Sequence, residues 1–280
     1  MKLGVVVLNY NNYEETKRCV NSLLTQKDVT LEIVIVDNGS KNDSYTILKK
    51  EFGNYTNIHL ISSKTNLGYA KGNNLGIKYL KKKQIYYIFV ANSDIYFPVS
   101  TIMKQIVDGY AEGIGLIVPV IKNTNGTIDQ RVVYKKKKLY LRIIKKVCQI
   151  YFGNTKVKNN TKRDNINEKN KKLTGLQTDC YIVSGSGFLL TPDFFLNYEG
   201  LFSKTFLYFE EWATIILLHK SNLLTKVVDN EPIIHKGGAS SYNGKNADLV
   251  KLKYMKDSSK KIFRLIFMSK RKINKSINRG

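Results

Sequence analysis

The sequence predicts an α/β protein built around a mostly parallel sheet that is flanked by helices. Short, almost wholly apolar runs alternate with amphipathic stretches of helical period along the first 120 residues. Continuous apolar strands separated by helices are typical of parallel sheets that are covered on both faces. The composition agrees, because 42% of the 280 residues are hydrophobic, which is enough for a packed core.

Each element is assigned from its own pattern. Apolar, β-branched runs predict strands at residues 3–8, 31–36, 57–61, 86–91 and 114–118. Periodic stretches predict helices at residues 13–26, 44–52, 69–82 and 100–110. The first helix shows the pattern well, because Cys19, Val20, Leu23 and Leu24 form one apolar side.

Polar and glycine residues follow four of these strands, at residues 9–12, 37–40, 66–74 and 92–94. In any single loop these residues are ordinary turn formers. The carboxyl ends of parallel strands meet at one edge of the sheet, where ligands of such proteins bind. Four polar loops at that edge therefore predict a binding crevice.

Several classes of protein are excluded or disfavoured. The chain has no GxxxxGK[ST] loop and no GxGxxG after the first strand, which argues against P-loop ATPases and dinucleotide-dependent dehydrogenases. The three cysteines are widely spaced, so neither a disulfide framework nor a zinc knuckle is expected. The first apolar run is too short for a signal peptide, and no run approaches the ~20 apolar residues that span a bilayer. We therefore expect a cytoplasmic protein.

The net charge of +24 is concentrated in two segments. Residues 135–172 contribute +12 and residues 251–280 contribute +10, which leaves +2 for the rest of the chain. A fold that cradles nucleic acid usually carries basic residues across its main body. We therefore expect no nucleic-acid partner, and two basic attachments on a nearly neutral body.

Seven stretches of the chain, in the family's order, resemble family 2 glycosyltransferases of the Rossmann-like GT-A fold. They are VVVLNYNN, EIVIVDNGSKNDS, TNLGYAKGNNLGI, YIFVANSDIYF, DCYIVSGSGFLLTPDFF, LFSKTFLYFEEW and IIHKGGASS. The resemblance is nearest to the rhamnosyltransferase-like branch that builds bacterial surface polysaccharides. It implies a transferase domain at residues 1–242 with a basic amphipathic insert at about 134–172, followed by a basic, membrane-associating tail at 243–280.

The resemblance also implies a nucleotide-sugar donor and a divalent cation. Donor-binding positions carry over to Asn9, Asn11, Asp37, Asn66, Gly68, Lys71, Gly72, Asn73, Asn92 and Ser93. Asp94 stands at the last position of the family's DxD motif, where Asn92 replaces the first Asp, and His235 resembles the histidine that completes the metal site. Mg²⁺ or Mn²⁺ would neutralise the departing diphosphate. A turn role for Asp94, a structural role for His235 and a solvated Lys71 are the alternatives.

An inverting transferase needs one carboxylate as a general base. Glu210 and Glu211 match the family's FxxFE[DE] segment, so Glu211 is the expected base and Glu210 the alternative. Relatives often carry an acidic residue two positions after the base, where this chain has Ala213. The Ser184-Gly185-Ser186-Gly187 stretch resembles the family's lining of the acceptor side rather than a nucleophile, because no histidine stands in a triad-like motif.

Both basic segments include amphipathic stretches. Residues 134–152 predict a helix with an apolar face of Leu141, Ile144, Val147, Cys148 and Tyr151, which Gly153 would end. Basic helices of this kind suit an anionic membrane surface, and the acceptor is expected to be a lipid-linked glycan. Helices that pack on the body are the alternative. Two other functions stay open: a sugar-phosphate nucleotidyltransferase, although the basic glycine loop it needs is missing, and a non-catalytic membrane- or RNA-binding protein. The choice between UDP and dTDP donors is open as well.

Overall fold

A computed structural model describes residues 1–129, 131–152, 175–177, 180–237 and 247–278 of the protein. The strands are β1 Lys2–Asn9, β2 Thr30–Asp37, β3 Ile58–Ser62, β4 Ile88–Asn92, β5 Ile95–Tyr96, β6 Ile114–Val118, β7 Ile121–Asn123, β8 Arg131–Lys135, β9 Gly175–Gln177, β10 Cys180–Ser184, β11 Gly187–Leu190, β12 Leu224–Val227 and β13 Ile233–His235. The helices are α1 Tyr13–Leu24, α2 Ser44–Phe52, α3 Tyr69–Lys82, α4 Ile102–Val107, α5 Leu139–Phe152, α6 Pro192–Phe195, α7 Glu210–Lys220, α8 Ala247–Phe267 and α9 Lys270–Asn278. A 3₁₀ turn at Lys136–Lys138 precedes α5.

Within the described ranges the central sheet has eight strands, in the order β3-β2-β1-β4-β11-β6-β12-β9. Four of its seven strand pairs are parallel, including the block formed by β1 to β4. In that block Asn9 pairs with Asp37, and Leu8 pairs with Asn92. The strand ends therefore finish level, which places their polar residues along one edge.

Helices cover both faces of this sheet. Val5 and Val7 of β1 pack in the layer that holds α1, α2 and α4, whereas Val6 packs in the layer that holds α3 and α5 to α9. Alternate side chains of one strand thus enter two different cores, as expected for a buried parallel strand. The predicted α/β class, with its mostly parallel, helix-flanked sheet, is confirmed.

The predicted apolar face of α5 is wrong except at Val147. Leu139, Ile143, Val147 and Ile150 form its buried stripe, whereas Leu141 is 73% exposed. The helix packs against α8 through this stripe, whose spacing of four, four and three residues keeps it on one side of the helix. The predicted end at Gly153, and the rest of the basic insert up to residue 172, lie outside the described residues.

The basic C-terminal segment forms two helices that pack on the body. Ile262 and Leu265 of α8 and Ile273 of α9 are fully buried, and Ser203 Oγ donates a hydrogen bond of 2.8 Å to the carbonyl oxygen of Ser276. Residues 243–246, where the tail was expected to begin, and residues 279–280 lie outside the described residues. Among the helices that the structure describes, none has the length and apolar character to cross a membrane.

Candidate active site

The ends of β1 and β2 are joined by a buried hydrogen-bond network around Asn9. Its amide nitrogen donates to Asp37 Oδ1 at 2.7 Å and to Ser40 Oγ at 3.2 Å, while its oxygen accepts from Thr16 Oγ1 at 2.9 Å. Ser40 also donates its hydroxyl to Asp37 Oδ1 at 2.5 Å and its backbone N–H to Asp37 Oδ2 at 3.2 Å. Asn9 is fully buried, so it acts as a brace that fixes the Asp37 carboxylate at the sheet edge.

The exposed Asn11 braces the loop that follows β2. Its backbone adopts a left-handed φ of 55°. Its N–H donates to Ser40 Oγ at 2.8 Å, and its side-chain oxygen accepts from the backbone N–H of Lys41 at 2.7 Å. Asn11 therefore fixes the conformation of the Ser40–Lys41 segment next to Asp37.

Asn38 links the end of β2 to the start of α3. Its amide nitrogen donates to Asn66 Oδ1 at 3.1 Å and to the carbonyl oxygen of Gly68 at 3.2 Å, and its Oδ1 accepts from the N–H of Leu67 at 3.0 Å. Asn66 Oδ1 also accepts from the N–H of Gly68 at 2.9 Å. The predicted positions Asn66 and Gly68 are thus brought against the end of β2.

Gly68 occupies a conformation that side chains avoid. Its φ is 81° and its ψ is 179°, a region populated essentially by glycine alone. A Cβ atom added there would overlap the carbonyl oxygen of Phe206, which accepts a hydrogen bond of 3.0 Å from the N–H of Tyr69. Glycine at this position is required for the close approach of two backbone segments.

Gly68→Ala should therefore destabilise the fold by about 2 kcal/mol or more, the sum of backbone strain and overlap. Urea unfolding measures the loss. Gly126→Ala is the matched control, because Gly126 also has a φ of 81° but no atom within 4 Å of an added Cβ. An equal loss in both variants would contradict the role assigned to the Phe206 contact.

Three predicted donor-binding residues lie in the first turns of α3. An added Cβ on Gly72 would meet Leu8 and the side chain of Asn38, so helix packing already accounts for this glycine. Asn73 is fully buried and donates to the carbonyl oxygen of Tyr69 at 3.0 Å. Lys71 is partly buried. Contact of these side chains with a donor stays a prediction.

Asp94 and His235 are brought together by the small sheet β5-β13-β7. In this sheet His235 pairs with Ile95, the residue after Asp94, and the N–H of Lys236 donates to the carbonyl oxygen of Asp94 at 2.9 Å. As a result, Nε2 of His235 lies 3.3 Å from Oδ2 of Asp94. Two residues far apart in the sequence thus present one oxygen and one nitrogen side by side.

Asp129 contacts the other ring nitrogen of His235, and its role was missed from the sequence. Its Oδ2 lies 3.3 Å from Nδ1 of His235 and also accepts hydrogen bonds from Ser186 Oγ and, at 3.5 Å, from Ser184 Oγ. Burial by itself would lower the pKa of His235, but the nearby carboxylates of Asp129 and Asp94 outweigh it and raise this pKa to about 10. No motif marks Asp129, because only the folded chain brings residues 129, 186 and 235 together.

The geometry fits a divalent cation at Asp94 and His235. Two neighbouring ligands of an octahedral Mg²⁺ ion at about 2.1 Å lie about 3.0 Å apart, close to the separation observed here. Ligating histidines usually donate the other ring N–H to a carboxylate, the place that Asp129 takes. Within the described ranges no three His, Cys, Asp or Glu side chains converge as a cage. Mg²⁺ characteristically takes one or two protein carboxylates and completes its shell with phosphate and water.

Glu210 and Glu211 begin α7 after an unusual turn. Tyr208 and Phe209 both have a left-handed φ of 71°, which bulky residues rarely adopt and which is often found at functional sites. The turn aims the glutamates toward β10 and β11, where an added Cβ on Gly185 would overlap Oε1 of Glu211. Glycine at position 185 is therefore needed to admit this carboxylate.

The two glutamates line a pocket of about 320 Å³, called here the acidic pocket. Its walls are Tyr69, Asn92, Asp129, Gly185, Ser186, Phe188, Leu207, Tyr208, Phe209, Glu210, Glu211, Thr214 and His235. Burial and then the charge of Glu211 raise the pKa of Glu210, and burial and then the charge of Asp129 raise the pKa of Glu211.

The pocket brings together some of the predicted site residues and leaves others apart. Both candidate bases, Asn92 and His235 share it. The predicted site residues that follow β1, β2 and β3 do not line it, although they stand on the same sheet edge. Ser93 and Asp94 are buried and are not among its walls. Tyr69 was not predicted as a site residue, yet its hydroxyl donates to the carbonyl oxygen of Gly185 at 3.1 Å.

Known proteins resemble this chain in sequence. A profile of the family described as "Glycosyl transferase family 2" matches residues 4–180. YibD of Escherichia coli strain K12, an uncharacterized glycosyltransferase, is 34% identical over 97 residues, which make up 35% of this chain and 27% of YibD. The chondroitin synthase of Pasteurella multocida strain Pm70 is 32% identical over 94 residues, or 34% of this chain and 9% of the synthase. The matches thus span only a minor part of these relatives.

Solved structures resemble it in fold. S. aureus TarS in complex with UDP-GlcNAc superposes with a TM-score of 0.56 at 15% identity, over 95% of this chain and 72% of that chain. The mannosyltransferase PcManGT from Pyrobaculum calidifontis, in complex with GDP-Man and Mn²⁺, gives a TM-score of 0.56 at 9% identity, over 94% of this chain and 72% of that chain. The predicted GT-A architecture is confirmed, and the chain belongs to glycosyl transferase family 2.

Proposed function

We propose that this transferase moves a sugar, with inversion, from a UDP- or dTDP-linked donor to a hydroxyl group of a lipid-linked glycan. The observation that carries the proposal is the acidic pocket, in which Glu211 and Glu210 share one cavity with Asn92 and His235. The general base and the groups that bind the leaving diphosphate act on the same sugar, so they must lie close together. The product would serve a cell-surface polysaccharide such as a capsule or cell-wall polymer.

Glu211 is proposed as the general base. The acceptor hydroxyl gives its proton to this carboxylate as its oxygen forms a bond to the anomeric carbon, while the bond from that carbon to the diphosphate oxygen breaks. Burial raises the pKa of Glu211, and a raised pKa makes the ionised carboxylate a stronger proton acceptor. Tyr69 supports the site by holding the carbonyl oxygen of Gly185, which lies beside Glu211.

Asp94 and His235 are proposed to hold Mg²⁺ or Mn²⁺. Bound there, the ion would neutralise the charge that develops on the departing diphosphate. Asp129 would orient His235 so that its Nε2 faces Asp94. The presence of Mn²⁺ with GDP-Man in PcManGT supports this assignment.

The donor is proposed to bind along the strand ends. Asp37, which Asn9 and Ser40 fix in place, would hold the base or ribose. Asn11, Asn66, Gly68, Lys71, Gly72, Asn73, Asn92 and Ser93 would frame the rest of the nucleotide sugar. The UDP-GlcNAc bound to TarS, a protein of the same fold, supports a donor of this class.

The lipid-linked acceptor and the site of action are proposed from the basic helices. A transferase that extends such an acceptor must reach the membrane, and we place the protein peripherally at its cytoplasmic face. The aromatic side chains of Phe188, Tyr208 and Phe209 in the acidic pocket suit the apolar faces of sugar rings.

Calorimetric titration with UDP, dTDP and GDP, each with and without Mn²⁺, tests the proposed donor and metal. We expect micromolar binding of UDP or dTDP that requires Mn²⁺, and weaker binding of GDP. Slow, Mn²⁺-dependent release of the sugar from the preferred donor would support catalysis. If the folded protein binds none of the three nucleotides in the presence of Mn²⁺, the transferase proposal fails for this chain.

A further inference from the structure

Exposed large apolar side chains are concentrated on two neighbouring helices. Eleven such side chains are exposed in the described part of the chain, and six of them lie on α5 and α8. These six are Leu141, Tyr151, Phe152, Leu249, Phe263 and Phe267. Scattered apolar residues on a surface need no explanation, but a group of this kind marks an interaction site.

The exposed apolar residues of α8 share one side of the helix with basic residues. At about 100° per residue, Leu249 and Phe267 lie within about 40° of Phe263 around the axis. Four basic residues lie within about 100° of Phe263 on the same side of the helix: Lys253, Lys256, Lys260 and Arg264. Aromatic and leucine side chains interspersed with lysines are typical of helices that lie in a membrane interface.

Helix α5 extends this surface. It packs against α8, and Lys260 Nζ of α8 stands 4.9 Å from the ring centre of Tyr151. A groove of about 570 Å³ lies between Tyr151 and the α8 residues Leu249, Leu252, Lys253 and Lys256. Helix α5 also exposes apolar residues, Leu141 and Phe152, together with basic residues, Arg142 and Lys145. The α8 side chains of the previous paragraph and these α5 side chains together are called the basic face.

The charge around the basic face is strongly positive. The 3₁₀ turn with α5, α8 and α9 holds sixteen basic and two acidic residues, a net charge of +14. One of the two acids, Asp257, pairs with Lys261 at 2.6 Å. Such a surface repels a second copy of itself and attracts an anionic one.

We propose that the basic face docks on a bilayer that contains anionic lipids, with its lysines at the headgroups and its phenylalanines inserted between them. The exposed Leu141 and Leu249 favour a bilayer over an RNA partner, because an aliphatic side chain inserts among lipids but offers no ring on which a base could stack. Each lysine near an anionic leaflet strengthens docking about fivefold, so this number of basic residues suits reversible but stable association.

The opposite side of α8 holds the loop that leads to the candidate base. Tyr254 stacks on Phe206 with ring centres 4.9 Å apart, and Ser258 Oγ donates to the carbonyl oxygen of Leu207 at 2.8 Å. The loop then continues into the turn at Tyr208 and Phe209, which line the acidic pocket. One helix thus lies between the docked membrane and the acceptor side of the pocket. This arrangement presents the pocket to acceptors anchored in that membrane, a consequence that rests on the proposed function.

Sedimentation of the full chain with phosphatidylcholine vesicles, with and without phosphatidylglycerol, tests the docking. We expect binding only to the anionic vesicles, weakened by salt. Lys253→Glu/Lys256→Glu should reduce it by at least about 25-fold, because each lost lysine accounts for about fivefold and each new glutamate adds repulsion. Phe263→Ser/Phe267→Ser should reduce it by about tenfold through the lost insertion of apolar area.

Two double variants on the far side of the molecule are the matched controls. Lys49→Glu/Lys50→Glu changes two exposed lysines of α2, and Tyr55→Ser/Val99→Ser removes two exposed apolar side chains. Both should bind vesicles like the wild type. Three outcomes would overturn the docking surface. The controls could lose as much vesicle binding as the α8 variants, the protein could bind neutral vesicles as well as anionic ones, or it could bind RNA but not vesicles.

The nucleotide titration separates this proposal from the proposed function. The α8 variants should keep Mn²⁺-dependent nucleotide affinity within about twofold of the wild type, because the residues proposed to bind the nucleotide and the metal lie on other elements. Vesicle binding without nucleotide binding would leave the docking surface standing while removing the transferase role. Nucleotide binding without vesicle binding would overturn the docking surface and leave the transferase proposal standing.

Discussion

Glu211→Gln is expected to lower kcat for sugar transfer by about a thousandfold, within the range that positioned general bases contribute. Glutamine keeps the size of the side chain beside Gly185 but cannot accept the proton of the acceptor hydroxyl. Donor affinity should change little, because the loss falls on a step that occurs only in the transition state. Kinetics with a saturating donor, together with nucleotide titration, separate the two quantities.

Glu210→Gln is the matched comparison, because the two residues are adjacent and share the acidic pocket. This variant should retain most of kcat. It also removes a neighbouring negative charge, so the pH at which Glu211 loses its proton should fall. The acid limb of the pH–rate profile should therefore shift to lower pH. A large loss of kcat in Glu210→Gln and a small one in Glu211→Gln would reverse the assignment.

The same raised pKa values have a consequence for stability. A carboxyl whose pKa is higher in the folded than in the unfolded state binds its proton more tightly in the folded state. Its contribution to stability is therefore greatest below the unfolded pKa and declines as pH rises toward the folded pKa. Both glutamine variants should melt at a higher temperature than the wild type at neutral pH, as expected where function maintains destabilising charges.

Local patterns predicted the elements whose apolar pattern is unambiguous. Helices α2 and α3 and strand β6 have the predicted bounds, because each carries a single apolar pattern of one period. Helix α5 differs, since apolar residues surround it on more than one side. Only its contact with α8, more than a hundred residues away, determines that Ile143 is buried and Leu141 is exposed.

Some residues of the candidate site could be predicted from local motifs, and others could be found only in the folded chain. The order of the family's motifs indicated Glu211, Asp94 and His235, but Asp129 carries no motif. The position of Asp129 depends on two serines at the connection from β10 to β11 and on a histidine that the β5–β13 pairing brings close. Gly72 was expected to admit the donor, and that role stays a prediction. An added Cβ there would meet Leu8 and Asn38, so packing of α3 also calls for a glycine at this position.

Asp94→Asn is expected to weaken Mn²⁺-dependent nucleotide binding by about 100-fold. Asparagine keeps an oxygen near Nε2 of His235 but lacks the negative charge that a hard divalent cation prefers. Asp129→Asn should weaken binding by about tenfold, the lower end of the range for groups that orient a ligand without touching the metal. Mn²⁺ binding followed by electron paramagnetic resonance gives the same ranking without any substrate.

The ranking of these two variants distinguishes a metal site from a turn. If Asp94 only shapes the turn after β4, its backbone carbonyl oxygen, which accepts from Lys236 at 2.9 Å, would suffice. Asp94→Asn would then bind Mn²⁺ and nucleotide like the wild type. Asp108→Asn is the control for general loss of negative charge, because Asp108 is exposed, follows the end of α4 and pairs with Lys104 at 2.5 Å. If Asp94 and His235 hold the metal and Asp129 orients the histidine, Asp94→Asn should lose the most Mn²⁺ and nucleotide affinity. Asp129→Asn should lose less, and Asp108→Asn should lose none.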